Sequence, residues 1–185
     1  MPATLRPVTE ADADMLLRWR NSPEVSRFMY TDHEIRREEH AAWLQRALAR
    51  KDAHYFVIVS GGVDVGFASV TDIDLRHRTC SWAIYIGEVA ARGEHAGALA
   101  AYAVLDYVFA ELGLRKLSCE VLASNQAALG LYERFGFVRE GRLREQILKP
   151  EGPVDVLRMG ILAREWAALR AGHRRRLMEE GVLIG

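Results

Sequence analysis

The chain has 185 residues, 50% hydrophobic and 27% charged, which is the composition of one globular domain with a sizeable core. Lys plus Arg and Asp plus Glu are 25 each, so the whole chain carries no basic footprint for nucleic acid. The longest apolar run, 96–105, is about half a membrane span, and the start lacks the charged-then-apolar order of a signal peptide.

The predicted elements follow the order β-α-α-β-β-β-α-β-α-β-β-α. The first strand is followed by Thr9 and Asp12, which are spaced as a capping box at the start of the first helix. In chain order the predicted strands cover 5–8, 55–59, 63–70, 78–86, 117–122, 137–138 and 154–162. The predicted helices cover 9–21, 33–50, 93–112, 125–135 and 163–180. Adjacent strands mixed with strand–helix units indicate a mixed sheet rather than an all-parallel one.

One stretch combines a strand, a loop with small residues and the start of a long helix. Residues 85–87 end the strand, and 91–98 contain Arg92, Gly93 and Gly97. Backbone N–H groups and the positive end of a helix dipole at such a turn bind anions, and Arg92 adds a full charge. Taken alone, the stretch is more typical of an ordinary strand-to-helix turn with small packing residues, and it matches neither the Rossmann nor the P-loop fingerprint.

A second stretch, 125–137, makes the two stretches together a specific signature of one family. It reads Asn-x-x-Ala-x-x-Leu-Tyr-x-x-x-Gly-Phe, and with Arg92 and Gly97 it resembles the Gcn5-related N-acetyltransferase (GNAT) superfamily. His95 departs from that family's pattern, because it stands where the family usually has its first glycine. The resemblance covers about 4–166 of a single acetyltransferase domain, 1–185, and leaves 167–185 as a helical tail.

The resemblance implies an α/β (α+β) fold, with a mixed, mostly antiparallel sheet splayed between strands 4 and 5 and helices on both faces. It also implies acetyl-CoA as cosubstrate. The pyrophosphate would lie on the loop and first turn formed by Arg92, Gly93, Glu94, His95, Ala96, Gly97 and Ala98. The pantetheine would pair with Ile84, Tyr85 and Ile86 like an added strand. Asn125 would contact the cofactor arm, and Tyr132 would donate a proton to the leaving thiolate.

The N-terminal third contains Trp-Arg-Asn at 19–21, Phe-Met-Tyr at 28–30 and Glu-x-His-x-x-Trp at 38–43. This succession resembles a narrower group within that family. These N-acetyltransferases acetylate the 4-amino group of a UDP-linked amino-dideoxy sugar in nonulosonic (pseudaminic) acid biosynthesis, which supplies flagellin glycans. A diphosphate needs cations, and a 6-deoxy sugar needs an apolar wall. The predicted acceptor-binding residues are Arg20, Arg27, Met29, Tyr30, His40, Trp43 and Trp82.

Several alternatives stay open. Within the fold, the rival is a ribosomal-protein-type N-terminal acetyltransferase, and outside enzymes it is a CoA-binding sensor or scaffold. A polyamine acceptor is disfavoured, because it would need an acidic pocket and the N-terminal third offers arginines. Glu120 and His40 are candidate bases, although water or no base would also serve.

The remaining expectations concern partners and location. The other histidines and Cys80 and Cys119 have no ligand spacing, so no metal is expected. We expect small-molecule partners only, with no nucleic acid and no membrane, in a reducing cytoplasm. A homodimer is left open by the sequence.

Overall fold

The computed structural model describes residues 3–91 and 94–180, and for Glu94 its backbone alone. The strands are β1 (Thr4–Pro7), β2 (His54–Ser60), β3 (Val63–Asp74), β4 (Thr79–Ile86), β5 (Lys116–Leu122), β6 (Val138–Lys149) and β7 (Gly152–Leu162). The helices are α1 (Ala13–Asn21), α2 (Pro23–Ser26), α3 (Arg37–Ala49), α4 (Glu94–Asp106), α5 (Gln126–Arg134) and α6 (Ala163–Glu179).

The strands form one seven-stranded sheet in the order β1-β2-β3-β4-β5-β7-β6. The β4–β5 pair is parallel, and every other neighbouring pair is antiparallel. The predicted fold class is therefore confirmed. The single parallel pair requires a crossover connection, and α4 provides it between β4 and β5.

Each face of the sheet packs against helices. One buried cluster joins α4, α5 and α6 to the sheet through residues such as Leu105, Leu129 and Trp166. A smaller cluster joins α1 and α3 to the opposite face through Leu16, Trp19 and Leu44, among others. No helix in the described part of the chain is both long and apolar enough to span a bilayer.

Local signals explain where the helices begin and end. The Thr9 N–H donates to Asp12 Oδ2 at 2.8 Å, as the capping box predicts, although 10–12 form a 3₁₀ turn before α1. Pro23 opens the short α2, which the sequence did not predict. Gly136 ends α5 with φ +90°, a conformation that favours glycine.

Two of the predicted strands were too short. β3 continues to Asp74, and β6 runs from Val138 to Lys149 instead of stopping after two residues. Most of β6 is exposed and polar, and its pairing with β7 shifts register twice, so the alternation that identifies a strand is lost. The second predicted helix also begins later, at Arg37.

Gly87 fixes how closely α1 approaches the end of β4. A Cβ at Gly87 would lie 2.2 Å from two ring carbons of the buried Trp19. We therefore expect Gly87→Ala to lower the free energy of unfolding by about 1–3 kcal/mol, because overpacking forces either the indole or the strand end to move. Chemical denaturation measures this change.

Gly130→Ala is the matched control for that experiment. Gly130 lies inside α5, and an added Cβ would meet nothing within 4 Å. Alanine is the better helix former, so this variant should be as stable as the unmodified chain, or more so by roughly 0.5–1 kcal/mol. Equal stability of the two variants would contradict the close contact at Trp19.

Candidate functional site

β4 and β5 separate in the middle of the sheet. Their parallel ladder joins Thr79–Ser81 to Lys116–Ser118, whereas β4 stays paired with β3 up to Ile86. The two strands therefore diverge after Ser81 and Ser118. A splayed edge of this kind presents backbone groups to an extended ligand.

The opening holds a cavity of about 350 Å³, which we call the cleft cavity. Its walls come from the segment after α2, from β4 and β5 beyond their ladder, and from the facing sides of α4 and α5. Many of the residues that the sequence predicts for the site meet here: Arg27, Met29, Tyr30, Trp82, Ile84, Tyr85, Ile86, Gly97, Asn125 and Tyr132.

Tyr132 lies on α5 and is 5% exposed. Its ring packs against Trp82 and Phe137 at centroid distances of 5.1 and 5.4 Å. Burial raises the pKa of the Tyr132 phenol well above its ordinary value, and the neighbouring Cys119 adds to the effect. The phenol is therefore protonated at neutral pH, and Tyr132 lines the cleft cavity.

Asn125 begins α5 and has a structural role of its own. Its Oδ1 accepts a hydrogen bond from the Ala128 N–H at 3.2 Å, which caps the helix. The side-chain amide N–H groups remain for a ligand in the cavity. The contact of Asn125 with the cofactor arm stays a prediction.

The start of α4 borders the same cavity. Arg92 and Gly93 lie outside the described residues, so their predicted contacts with the pyrophosphate have no structural account here. α4 begins at Glu94, and His95, Ala96, Gly97 and Ala98 form its first turns. A Cβ at Gly97 would come within 3.3 Å of Leu131 Cδ2, so a small residue allows α4 and α5 to approach each other.

A second cavity of about 770 Å³ lies beside the first, and we call it the acceptor-side cavity. It shares Tyr30, Trp82 and Glu120 with the cleft cavity. It adds charged residues from the strands, namely Asp72, Lys116, Glu140 and Arg158. A ligand in this cavity would therefore contact residues that also line the cleft cavity.

Most charges of the acceptor-side cavity are paired. The Tyr30 hydroxyl donates to Glu120 Oε2 at 2.7 Å, and Arg158 donates to Glu120 Oε1 at 2.9 Å. Lys116 Nζ donates to Glu140 at 2.7 Å. Burial, followed by the hydrogen bond to Glu120, raises the pKa of Tyr30. Tyr30 therefore stays a hydrogen-bond donor that fixes the Glu120 carboxylate between both cavities.

Three predicted acceptor-binding residues lie elsewhere. His40 is 3% exposed and lies 5.2 Å from Trp43, and both belong to the packing of α3 against the sheet. Burial lowers the pKa of His40, so its imidazole is neutral near pH 7. Arg20, on α1, is also partly desolvated, which lowers its pKa, and its charge faces Tyr85. These three residues do not line either cavity, and their contact with an acceptor stays a prediction.

The geometry agrees with a family match. Residues 3–138 match the model described as "Acetyltransferase (GNAT) domain", and this chain belongs to that family. The class of protein is therefore an acetyltransferase of the GNAT family.

Individual relatives are more distant. The spermidine N(1)-acetyltransferase of Vibrio cholerae is 35% identical over 102 residues, which is 53% of this chain and 56% of that protein. Acetyltransferase PseH of Campylobacter jejuni is 25% identical over 124 residues, 66% of this chain and 74% of that one. The chain spans 29%, 70% and 56% of the lengths of three curated relatives that it matches.

The fold has a solved counterpart. The crystal structure of spermidine N-acetyltransferase from Vibrio cholerae in complex with CoA and spermine superposes with a TM-score of 0.83. The identity is 24%, over 90% of this chain and 98% of that one, so this likeness supports the fold alone.

Acetyl-CoA fits the residues present in the cleft. The splayed edge of β4 suits the amide-bearing pantetheine, and Gly97 and Tyr132 line the cavity beside it. Within residues 3–91 and 94–180, no cluster of three histidine, cysteine or acidic side chains is arranged to hold a metal ion.

Sequence reasoning missed the charged groups of the acceptor-side cavity. Asp72, Lys116, Glu140 and Arg158 come from β3, β5, β6 and β7, outside the N-terminal third to which acceptor choice was assigned. The only signal for them is the register that places Glu120 opposite Arg158, and this register depends on strand pairing that a single sequence does not reveal.

Proposed function

We propose that the chain transfers the acetyl group of acetyl-CoA to the 4-amino group of a UDP-linked amino-dideoxy sugar of nonulosonic (pseudaminic) acid biosynthesis. The transfer is direct, with both substrates bound together. Acetyl-CoA, when bound, supplies an activated thioester carbonyl. The residues of this chain bind the two substrates, orient the amine and move the protons.

The main support for this proposal is the position of Arg27. It lies on the wall of the cleft cavity with its guanidinium 4.6 Å from the centre of the Phe28 ring. Among the described side chains, no carboxylate is within ion-pair distance of it, whereas Arg158 and Lys116 are both paired. An arginine that is held over an aromatic ring and lacks a counter-ion suits a diphosphate, which accepts its paired N–H donors.

The surroundings of Arg27 suit the sugar. Met29, Tyr30 and Trp82 give an apolar wall to both cavities, as a 6-deoxy ring with its methyl group requires. The charged residues of the acceptor-side cavity nearly balance, with three carboxylates against two cations. An acceptor that carries both an amine and a diphosphate matches a mixed surface better than a purely cationic one does.

We propose that Glu120 binds the amine of the acceptor. It lines both cavities, and Tyr30 and Arg158 hold its two oxygens in place. Each carboxylate oxygen accepts more than one hydrogen bond, so Glu120 can accept one from the amine, directly or through a water. It would then orient the attacking nitrogen and take up the proton that the nitrogen releases.

Tyr132 acts on the other side of the reacting carbon. Its protonated phenol faces the cleft cavity and is the proposed proton donor to the leaving sulfur. A backbone N–H on the splayed part of β4 is the proposed donor to the carbonyl oxygen as negative charge develops there.

A polyamine is the second candidate acceptor. Asp72, Glu120 and Glu140 give the acceptor-side cavity more carboxylates than the N-terminal third led us to expect. The relative from Vibrio cholerae named above carries the name of a spermidine acetyltransferase. Against this candidate, Glu120 and Glu140 are already neutralised by Arg158 and Lys116.

The deciding experiment is an acceptor panel combined with Arg27→Ala. Losing a charge-assisted contact with phosphate costs about 1.5–3 kcal/mol, so this variant should raise the KM for the UDP-amino sugar roughly 10- to 100-fold. The KM for acetyl-CoA should not change. UDP alone should compete with the sugar in the unmodified enzyme and should compete far less well in the variant.

Arg18→Ala is the control for this panel, because Arg18 is an exposed arginine of α1 outside both cavities. Acetylation of spermidine or of N-terminal peptides, with no response to millimolar UDP, would overturn the sugar assignment and leave the acetyltransferase class intact. Binding of acetyl-CoA with no turnover on any acceptor would favour the sensor alternative.

A further inference from the structure

A third cavity lies where α4, α5 and α6 meet, and its volume is about 240 Å³. It is lined by His95 and Ala98 of α4, by Arg134 and Phe135 at the end of α5, and by His173, Arg176, Leu177 and Glu180 around the end of α6. We call it the helix-end cavity. The general reaction described above uses none of the α6 residues.

The helix-end cavity adjoins the cleft cavity, and α4 and α5 contribute residues to both. Gly97 and Leu131 line the cleft cavity, whereas Ala98 and Arg134, one and three residues further along, line the helix-end cavity. The two cavities are therefore bordered by neighbouring residues of α4 and by residues one helical turn apart on α5.

The side chains of this cavity form a cationic cluster with too few counter-ions. Arg134 has no carboxylate partner among the described side chains. Within residues 3–91 and 94–180, the one carboxylate paired with Arg176 is Glu180, at 3.7 Å, and the same Glu180 lies 3.3 Å from His95 Nδ1. One carboxylate is thus shared by an arginine and a histidine, while Arg134 has none in this part of the chain.

His173 shows the consequence of this arrangement. Its ring is stacked on the buried Phe135 at 4.3 Å with an interplanar angle of 6°, so it is held in place between the arginines. Burial lowers the pKa of His173, and the positive charges of Arg176 and Arg134 lower it further. Two guanidinium groups close to one neutral ring make this cavity electropositive, which favours a bound anion.

The chemistry of acetyl-CoA provides such an anion. Besides its pyrophosphate, the molecule carries a phosphomonoester on the 3′-oxygen of the same adenosine. Two guanidinium groups and two imidazoles make a donor set that suits a phosphomonoester. We propose that the helix-end cavity binds the 3′-phosphate of CoA, with Arg134 and Arg176 as its main ligands and His95 and His173 as further donors.

The test compares CoA with 3′-dephospho-CoA by isothermal titration calorimetry, with no acceptor present. The unmodified protein should bind CoA about 10- to 100-fold more tightly than 3′-dephospho-CoA, because 3′-dephospho-CoA lacks the phosphate that makes the charge-assisted contact. In the double variant Arg134→Ala/Arg176→Ala, the affinity for CoA should fall to that for 3′-dephospho-CoA. The affinity for 3′-dephospho-CoA itself should stay within about twofold, which shows that the cleft is intact.

Arg174→Ala is the matched control, since Arg174 is an exposed arginine on α6 that does not line the cavity. It should keep the full preference for CoA. Equal binding of CoA and 3′-dephospho-CoA by the unmodified protein, or a preference that survives in the double variant, would overturn the proposal. Stabilisation by inorganic phosphate together with equal binding of the two cofactors would also overturn it, because the cavity would then take a free anion. None of these results depends on which amine is acetylated.

Discussion

The Tyr132→Phe variant is expected to transfer acetyl groups about 10²- to 10⁴-fold more slowly than the unmodified enzyme, which is the usual contribution of a general acid. The change removes one hydroxyl and almost no volume, so the contacts of the ring with Trp82 and Phe137 should survive. The affinity for acetyl-CoA should therefore change little, and the loss should fall on kcat.

Single-turnover kinetics with saturating substrates measures the chemical step of this variant. Tyr102→Phe is the control, because Tyr102 is also a buried helix tyrosine, 8% exposed, but packs against Trp166 outside the cleft cavity. Its rate should equal that of the unmodified enzyme. An unchanged rate in Tyr132→Phe would mean that water or the ammonium group of the tetrahedral intermediate protonates the thiolate.

The pH profile gives an independent check on the same residue. Because burial raises the pKa of Tyr132, its proton donor should remain available well above neutral pH. The rate of the unmodified enzyme should therefore not fall near pH 10, the ordinary pKa of tyrosine. In that range its pH profile should have the same shape as the profile of Tyr132→Phe, which has no phenol to ionise.

The cofactor half of the site was largely predictable from sequence, because its signals are local. Asn125 caps α5, Gly136 ends it, and the helix between them holds Tyr132 toward the cleft; all three lie within 12 residues. The splay between β4 and β5 followed from the resemblance, and the three-residue ladder confirms it.

The acceptor half was harder because its residues meet only through strand register. Glu120 faces Arg158 across β5 and β7, and Lys116 on β5 reaches Glu140 on β6 across the intervening β7. Conversely, His40 and Trp43 have the residue types of a binding site but pack in the core between α3 and the sheet. Residue type alone does not separate a buried core aromatic from a ligand wall.

The second large effect is expected at Gly97, the point where α4 comes closest to α5. Gly97→Ala should bind acetyl-CoA almost normally, because its Cβ would meet only the flexible end of Leu131 at 3.3 Å. Gly97→Trp should abolish measurable binding. The indole cannot fit between the two helices, so it must turn into the cleft cavity that Gly97 lines.

Calorimetric titration with acetyl-CoA tests this pair, and circular dichroism with thermal unfolding establishes that both variants fold. Gly172→Trp is the matched control, because an added Cβ at Gly172 on α6 meets nothing within 4 Å. The control should bind acetyl-CoA with unchanged affinity, which excludes a general effect of adding an indole. Since the expected steric block lies in the path of the cofactor and not at the reacting atoms, it should remove binding before any chemistry. Full affinity in a folded Gly97→Trp protein would show that acetyl-CoA does not bind beside Gly97, and the placement of its binding site in the cleft would then be wrong.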